Sequence, residues 1–162
     1  MKDITKVLII ALIVVLTFIL QIYVANNLTF FGIKANLFLV LTVALAIWVK
    51  PNITIPFVFV IGLLSDVMFT YSIGKGLVTY LSIMALIIYT SKLYNKQSIG
   101  LVIVVMLISV LVTGIIFWLF DGIGQGNFKN VFSVLFMCLK ESVLAIPLIL
   151  LCKKIFKNLS EE

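Results

Sequence analysis

The chain has 162 residues, 64% of them hydrophobic and 11% charged, with a formal net charge of +6 and a mean hydropathy of +1.32. An ordinary soluble domain is roughly half apolar and a quarter charged, and a fold this small leaves much of its surface wet. The composition therefore excludes a simple soluble globule and points to a chain whose apolar surface meets lipid.

All twelve basic residues are lysines, and histidine is absent. The lysines stand singly between apolar runs, whereas a nucleic-acid site needs them clustered on one wet face. They read as topological charge on loops, with no nucleic-acid partner.

In chain order, the apolar pattern predicts six spans, at residues 7–24, 35–49, 51–70, 76–91, 99–120 and 131–152, in one transmembrane domain covering 1–162. A spanning helix needs about 20 residues. The first, fifth and sixth runs meet that easily and the third is adequate. The second and fourth are short, and need local thinning or a protected position in the bundle. The first run follows Lys2 and Lys6 as a secretory signal would. Its length and the lack of a small-x-small cleavage site favour an anchor.

Between the second and third runs lies only Lys50–Pro51–Asn52. Proline suits the first turn of a helix, where its missing N–H removes no bond, so a tight antiparallel hairpin is expected. The fifth connection, from Asp121 to Asn127, is rich in glycine and reads as a surface loop. With the N-terminus inside, the cytoplasmic segments hold Lys2, Lys6, Lys50, Lys92, Lys96, Lys153, Lys154 and Lys157, against Lys34, Lys75 and Lys129 outside. That bias obeys the positive-inside rule and puts both termini in the cytoplasm. The fold class is thus an all-α membrane protein, a bundle of six transmembrane helices.

Ionisable groups within spans are the functional candidates, because each is expensive to place there. Asp66 falls near the outer end of the third helix, about 22 Å along it from Pro51. Three readings stand: a latch accepting hydrogen bonds from the following Tyr71–Gly76 segment with Lys75 as its ion partner, a contact for another protein, or a transport group. Lys140 and Glu141 lie near the middle of the sixth run, about 100° apart around the helix. They read as an internal polar contact or as a docking site for a partner's helix. Thr42 with Ala46, and Ser109 with Thr113, have the spacing of close helix packing.

Cys138 and Cys152, if on one helix, are about 21 Å apart, too far to bridge. The sequence contains no phosphate-binding glycine loop and no nucleophile elbow, and without histidine no conventional serine or cysteine pair. No catalytic, cofactor or metal site is therefore expected, and the chain reads as a non-enzyme.

From Phe57 to Lys92 the sequence runs FVFVIGLLSDVMFTYSIGKGLVTYLSIMALIIYTSK. A Gly-apolar-apolar-x-Asp element is followed by a short aromatic stretch and glycines opening the next helix. On Gly62, Asp66, Phe69, Tyr71, Gly74 and Gly76 this resembles the MreD family of rod-shape-determining membrane proteins. Gln21 and the basic tail fit the same family. Ala35–Asn36 departs from it, where many members carry a Pro-Asp-like pair.

The resemblance implies a non-enzymatic scaffold of cell-wall elongation in the bacterial cytoplasmic membrane. Its partners would be MreC, the filament protein MreB, RodA and the elongation transpeptidase. Gly62, Asp66, Gly74, Lys75, Gly76, Lys140 and Glu141 are the candidate structural and partner-interface residues. The alternative is the substrate-binding subunit of an energy-coupling vitamin transporter. Many such subunits carry Ala-x-x-x-Ala on the first helix, which this chain lacks. The sequence leaves open which helices meet MreC, whether there is self-association, and whether the bundle holds a cavity.

Overall fold

The computed structural model describes residues 2–27, 36–69, 74–91, 98–125 and 131–161. They form six helices: α1 (Lys2–Asn27), α2 (Leu37–Trp48), α3 (Pro51–Phe69), α4 (Lys75–Thr90), α5 (Ile99–Gln125) and α6 (Val131–Glu161). The loop lysines Lys34, Lys92, Lys96 and Lys129, together with Tyr71–Ile73, lie outside the described residues.

By length and composition, α1, α3, α5 and α6 can each cross a membrane. The other two are shorter. At 1.5 Å per residue, α2 with its 12 residues is about 18 Å long and α4 with its 16 is about 24 Å, against a hydrocarbon core of about 30 Å.

The chain resolves this shortfall by position. α2 packs against all five other helices, and every residue from Phe38 to Ile47 is buried. It is the axis of the bundle, and its side chains face protein on every side.

The longer helices each bury one stripe. On α1 the stripe is Ile10, Val14 and Gln21, on α3 Thr54, Val58, Ile61 and Ser65, and on α6 Cys138, Ser142, Ala145 and Ile149. These steps of three, four or seven residues are the repeat of a single helix face. The opposite faces are apolar and exposed, as at Leu12, Leu16 and Ile19 on α1 and Phe136, Leu139 and Val143 on α6. Apolar faces of this extent are what a lipid-facing surface requires.

The α2–α3 hairpin is as tight as its sequence implies, with α2 ending at Trp48 and α3 starting at Pro51. The Thr54 hydroxyl closes it by donating to the Lys50 and Leu45 carbonyls, each at 3.1 Å. α5 continues to Gln125, so Asp121 stands in its final turns and not in a loop. The α5–α6 contact is close at Gly114, where a Cβ would fall 2.2 Å from the Cys138 sulfur. Cys138 and Cys152 are both free thiols on α6. Ser109 and Thr113 are buried and each bonds the carbonyl one turn back, which leaves compact polar side chains at the helix contact.

Candidate functional site

The polar groups gather at one end of the bundle, where α3 turns into α4. Gly74 caps the N-terminus of α4 with φ of 100° and carries no side chain to do the capping. That backbone angle favours glycine. The missing cap comes from the neighbouring helix: Asp66 Oδ2 accepts the N–H of Gly74 at 3.0 Å and of Leu77 at 3.3 Å, and Oδ1 accepts the N–H of Gly76 at 2.5 Å.

One carboxylate thus satisfies several of the amides that a helix start leaves unpaired. Its negative charge also lies at the positive end of the helix dipole. Asp66 is only 5% exposed, so these bonds form away from bulk water, where an unmade one is costly.

Two glycines make the approach close enough. A Cβ on Gly76 would lie 2.9 Å from Asp66 Oδ1 and 3.0 Å from the Ser65 side chain, and one on Gly62 would lie 2.7 Å from the Leu77 Cα. The joint is therefore a four-residue device: Gly62 and Gly76 set the distance, Gly74 the turn, and Asp66 the bonds.

Lys75 does not pair with Asp66, the partner anticipated from sequence. Its ammonium lies 2.6 Å from Asp121 Oδ1 on α5 and 4.2 Å from the centre of the Phe117 ring. The reason is direction. Residue 75 opens α4 on the side facing α5, and the inner side of that turn is filled by the Asp66 carboxylate. A cation at a helix N-terminus is poorly placed relative to the dipole, and Asp121 offsets it.

A second layer of bonds continues into the bundle. The Tyr80 hydroxyl donates to Asn36 Oδ1 at 3.1 Å and is met by the Ser65 hydroxyl at 3.5 Å. Asn36 Oδ1 also accepts the Leu39 N–H at 3.1 Å, which caps α2. Two residues nearer the helix start, the Leu37 N–H donates to Gln21 Oε1 on α1 at 2.7 Å. The starts of α2 and α4 are thereby tied to α1 and α3 through side chains.

Sequence reasoning passed over Tyr80, Ser65 and Asp121. Asn36 had a legible signal, an asparagine directly before an apolar run, which is the signature of an N-cap. Tyr80 and Ser65 had none, because a tyrosine in an apolar helix is as easily an interfacial residue.

Lys140 and Glu141 separate. The Lys140 ammonium lies 4.6 Å over the Phe136 ring on its own helix. Glu141 instead lines a cavity of about 130 Å³ between α5, α6 and the start of α2, together with Asn36, Thr113, Phe117, Trp118 and Asp121. Adjacent helical positions diverge by about 100°, which sends the two side chains into different surroundings.

Among the described residues no group of three or more His, Cys, Asp or Glu side chains is placed to hold a metal. No protein-family model, curated protein or solved structure matches the chain.

Proposed function

We propose that this chain is a non-enzymatic, MreD-like scaffold of the elongation machinery in the bacterial cytoplasmic membrane. It crosses the bilayer six times with both termini in the cytoplasm, and holds MreC, and through it MreB, RodA and the elongation transpeptidase, by contacts between helices.

What supports this reading is the use made of the residues that carry the resemblance. Gly62, Asp66, Gly74 and Gly76 all serve one joint, which fixes α3 and α4 as a rigid pair. A scaffold needs such fixed faces, because helices dock in lipid by shape and by a few polar contacts. The lysine bias supports the orientation. The short α2 and α4 fit a six-span count because both pack against longer helices.

The direct experiment is depletion in a rod-shaped host, with MreC co-purification in mild detergent as its companion. Swollen or round cells and loss of lateral wall labelling are expected. Unchanged shape, with no MreC recovered, overturns the reading.

A second reading, a solute-binding transporter subunit, draws support from the cavity lined by Glu141 and Trp118. It predicts loss of uptake of one small solute on deletion, with cell shape intact.

A further inference from the structure

Among the polar residues lining the cavity, Glu141 is the one that neither capping nor ion pairing among the described residues explains. The cavity lies where α5 and α6 meet the Asn36 cap of α2. Its walls hold three kinds of group. Phe117 and Trp118 supply aromatic faces, Asn36 and Thr113 supply polar edges, and Asp121 and Glu141 supply carboxylates.

The two carboxylates are not equivalent. Asp121 is neutralised by Lys75 at 2.6 Å. Glu141 has no hydrogen bond or ion pair among the described residues, and the neighbouring ammonium of Lys140 is turned onto Phe136. The walls therefore hold one carboxyl group that no described residue bonds.

A charge at this depth calls for a partner, and the walls say which kind. A hard metal ion takes six or more oxygen ligands, and aromatic and apolar side chains do not supply them. An alkylammonium is attracted both by a carboxylate and by the faces of Trp and Phe rings. The volume, about 130 Å³, suits a compact head and is well below the roughly 300–1,000 Å³ of a drug-sized site.

We propose that this cavity binds a small organic ammonium, with Glu141 as its counter-ion and Phe117 and Trp118 as its cage. A free solute and a lipid headgroup both carry such an ammonium, and the chemistry of recognition is the same. The inference does not rest on the scaffold reading.

Trp118 is one of two tryptophans, so a Trp48→Phe background makes it a reporter inside the site. The full chain, in maltoside or in phosphatidylglycerol nanodiscs, is titrated with choline and with dimethylbutanol, its neutral carbon isostere. Choline should shift Trp118 emission saturably and the isostere should not. Glu141→Gln should weaken the choline midpoint by about tenfold or more, and Val134→Phe, which fills the cavity, should abolish the response.

Equal responses to choline and isostere, or a Glu141→Gln titration identical to that of the parent, overturn the proposal. Should Glu141→Gln fail to fold, the isostere comparison and Val134→Phe still decide. Repeating the titration in phosphatidylethanolamine nanodiscs identifies the source. A weakened midpoint there marks the lipid headgroup as the occupant, and an unchanged one marks a free solute.

Discussion

α1 and α2 are both almost wholly apolar, yet they occupy opposite environments. α2 is buried from Phe38 to Ile47 and touches every other helix, while α1 buries Ile10, Val14 and Gln21 and packs chiefly on α2 and α3. In a membrane, hydrophobicity does not distinguish a face that meets lipid from one that meets protein, since lipid tails are as apolar as leucine. Length does. A helix of about 18 Å cannot cross a core of about 30 Å alone, and it is stable at that depth when protein surrounds it.

The comparison is tested most severely by truncating each helix. Phe38 is fully buried, and Phe38→Ala should cost about 3–5 kcal/mol, read as a large loss of thermal stability in detergent. Leu12→Ala on α1, where the side chain is 61% exposed, should shift the same melting curve little. Equal losses at the two sites would mean that α1 is as enclosed as α2.

The α3–α4 joint comes next. Gly62→Ala drives a Cβ into the backbone of Leu77, and overpacking of this kind costs about 1–3 kcal/mol. Asp66→Ala leaves the α4 amides unpaired in a buried site and should cost about 2–3 kcal/mol. Asp66→Asn keeps an acceptor oxygen and should cost about half as much, so the ratio of the two separates hydrogen bonding from charge. If Asp66→Asn leaves stability unchanged while recovery of the proposed partner MreC falls, Asp66 serves a partner more than the fold.

Between α5 and α6, Gly114→Ala meets the Cys138 sulfur. The double variant Gly114→Ala with Cys138→Ala should recover most of the loss, a coupling that neighbours show and distant sites do not. The smallest effect belongs to the ion pair. Lys75 is 7% exposed and Asp121 37%, so Asp121→Asn, which keeps an acceptor oxygen for the buried ammonium, should cost about 1 kcal/mol.

Part of this site was legible in the chain. The Gly62–Asp66 spacing and the glycines at 74 and 76 mark a carboxylate facing a turn that requires small residues, and the structure has Asp66 bonded to that turn. Lys75 was assigned the wrong partner because sequence proximity favoured Asp66, whereas the pair to Asp121 spans 46 positions. Such a contact follows from where α5 is packed. Lys140 and Glu141 were noticed for their charge, but their divergence onto Phe136 and into the cavity depends on which face α6 turns to the bundle.

The sequence by itself determined that the chain is helical and apolar, where along it each apolar helix lies, and which polar side chains are too few and too expensive to be incidental. These follow from local propensities and from the cost of burying charge. It did not show that α6 runs on to Glu161. The tertiary structure alone decided that α2 is the axis, that Asn36, Ser65 and Tyr80 join one network, and that a cavity lies beside Glu141. An apolar helix presents nearly the same chemistry all round, and only the packing of its neighbours determines which side meets protein and which meets lipid.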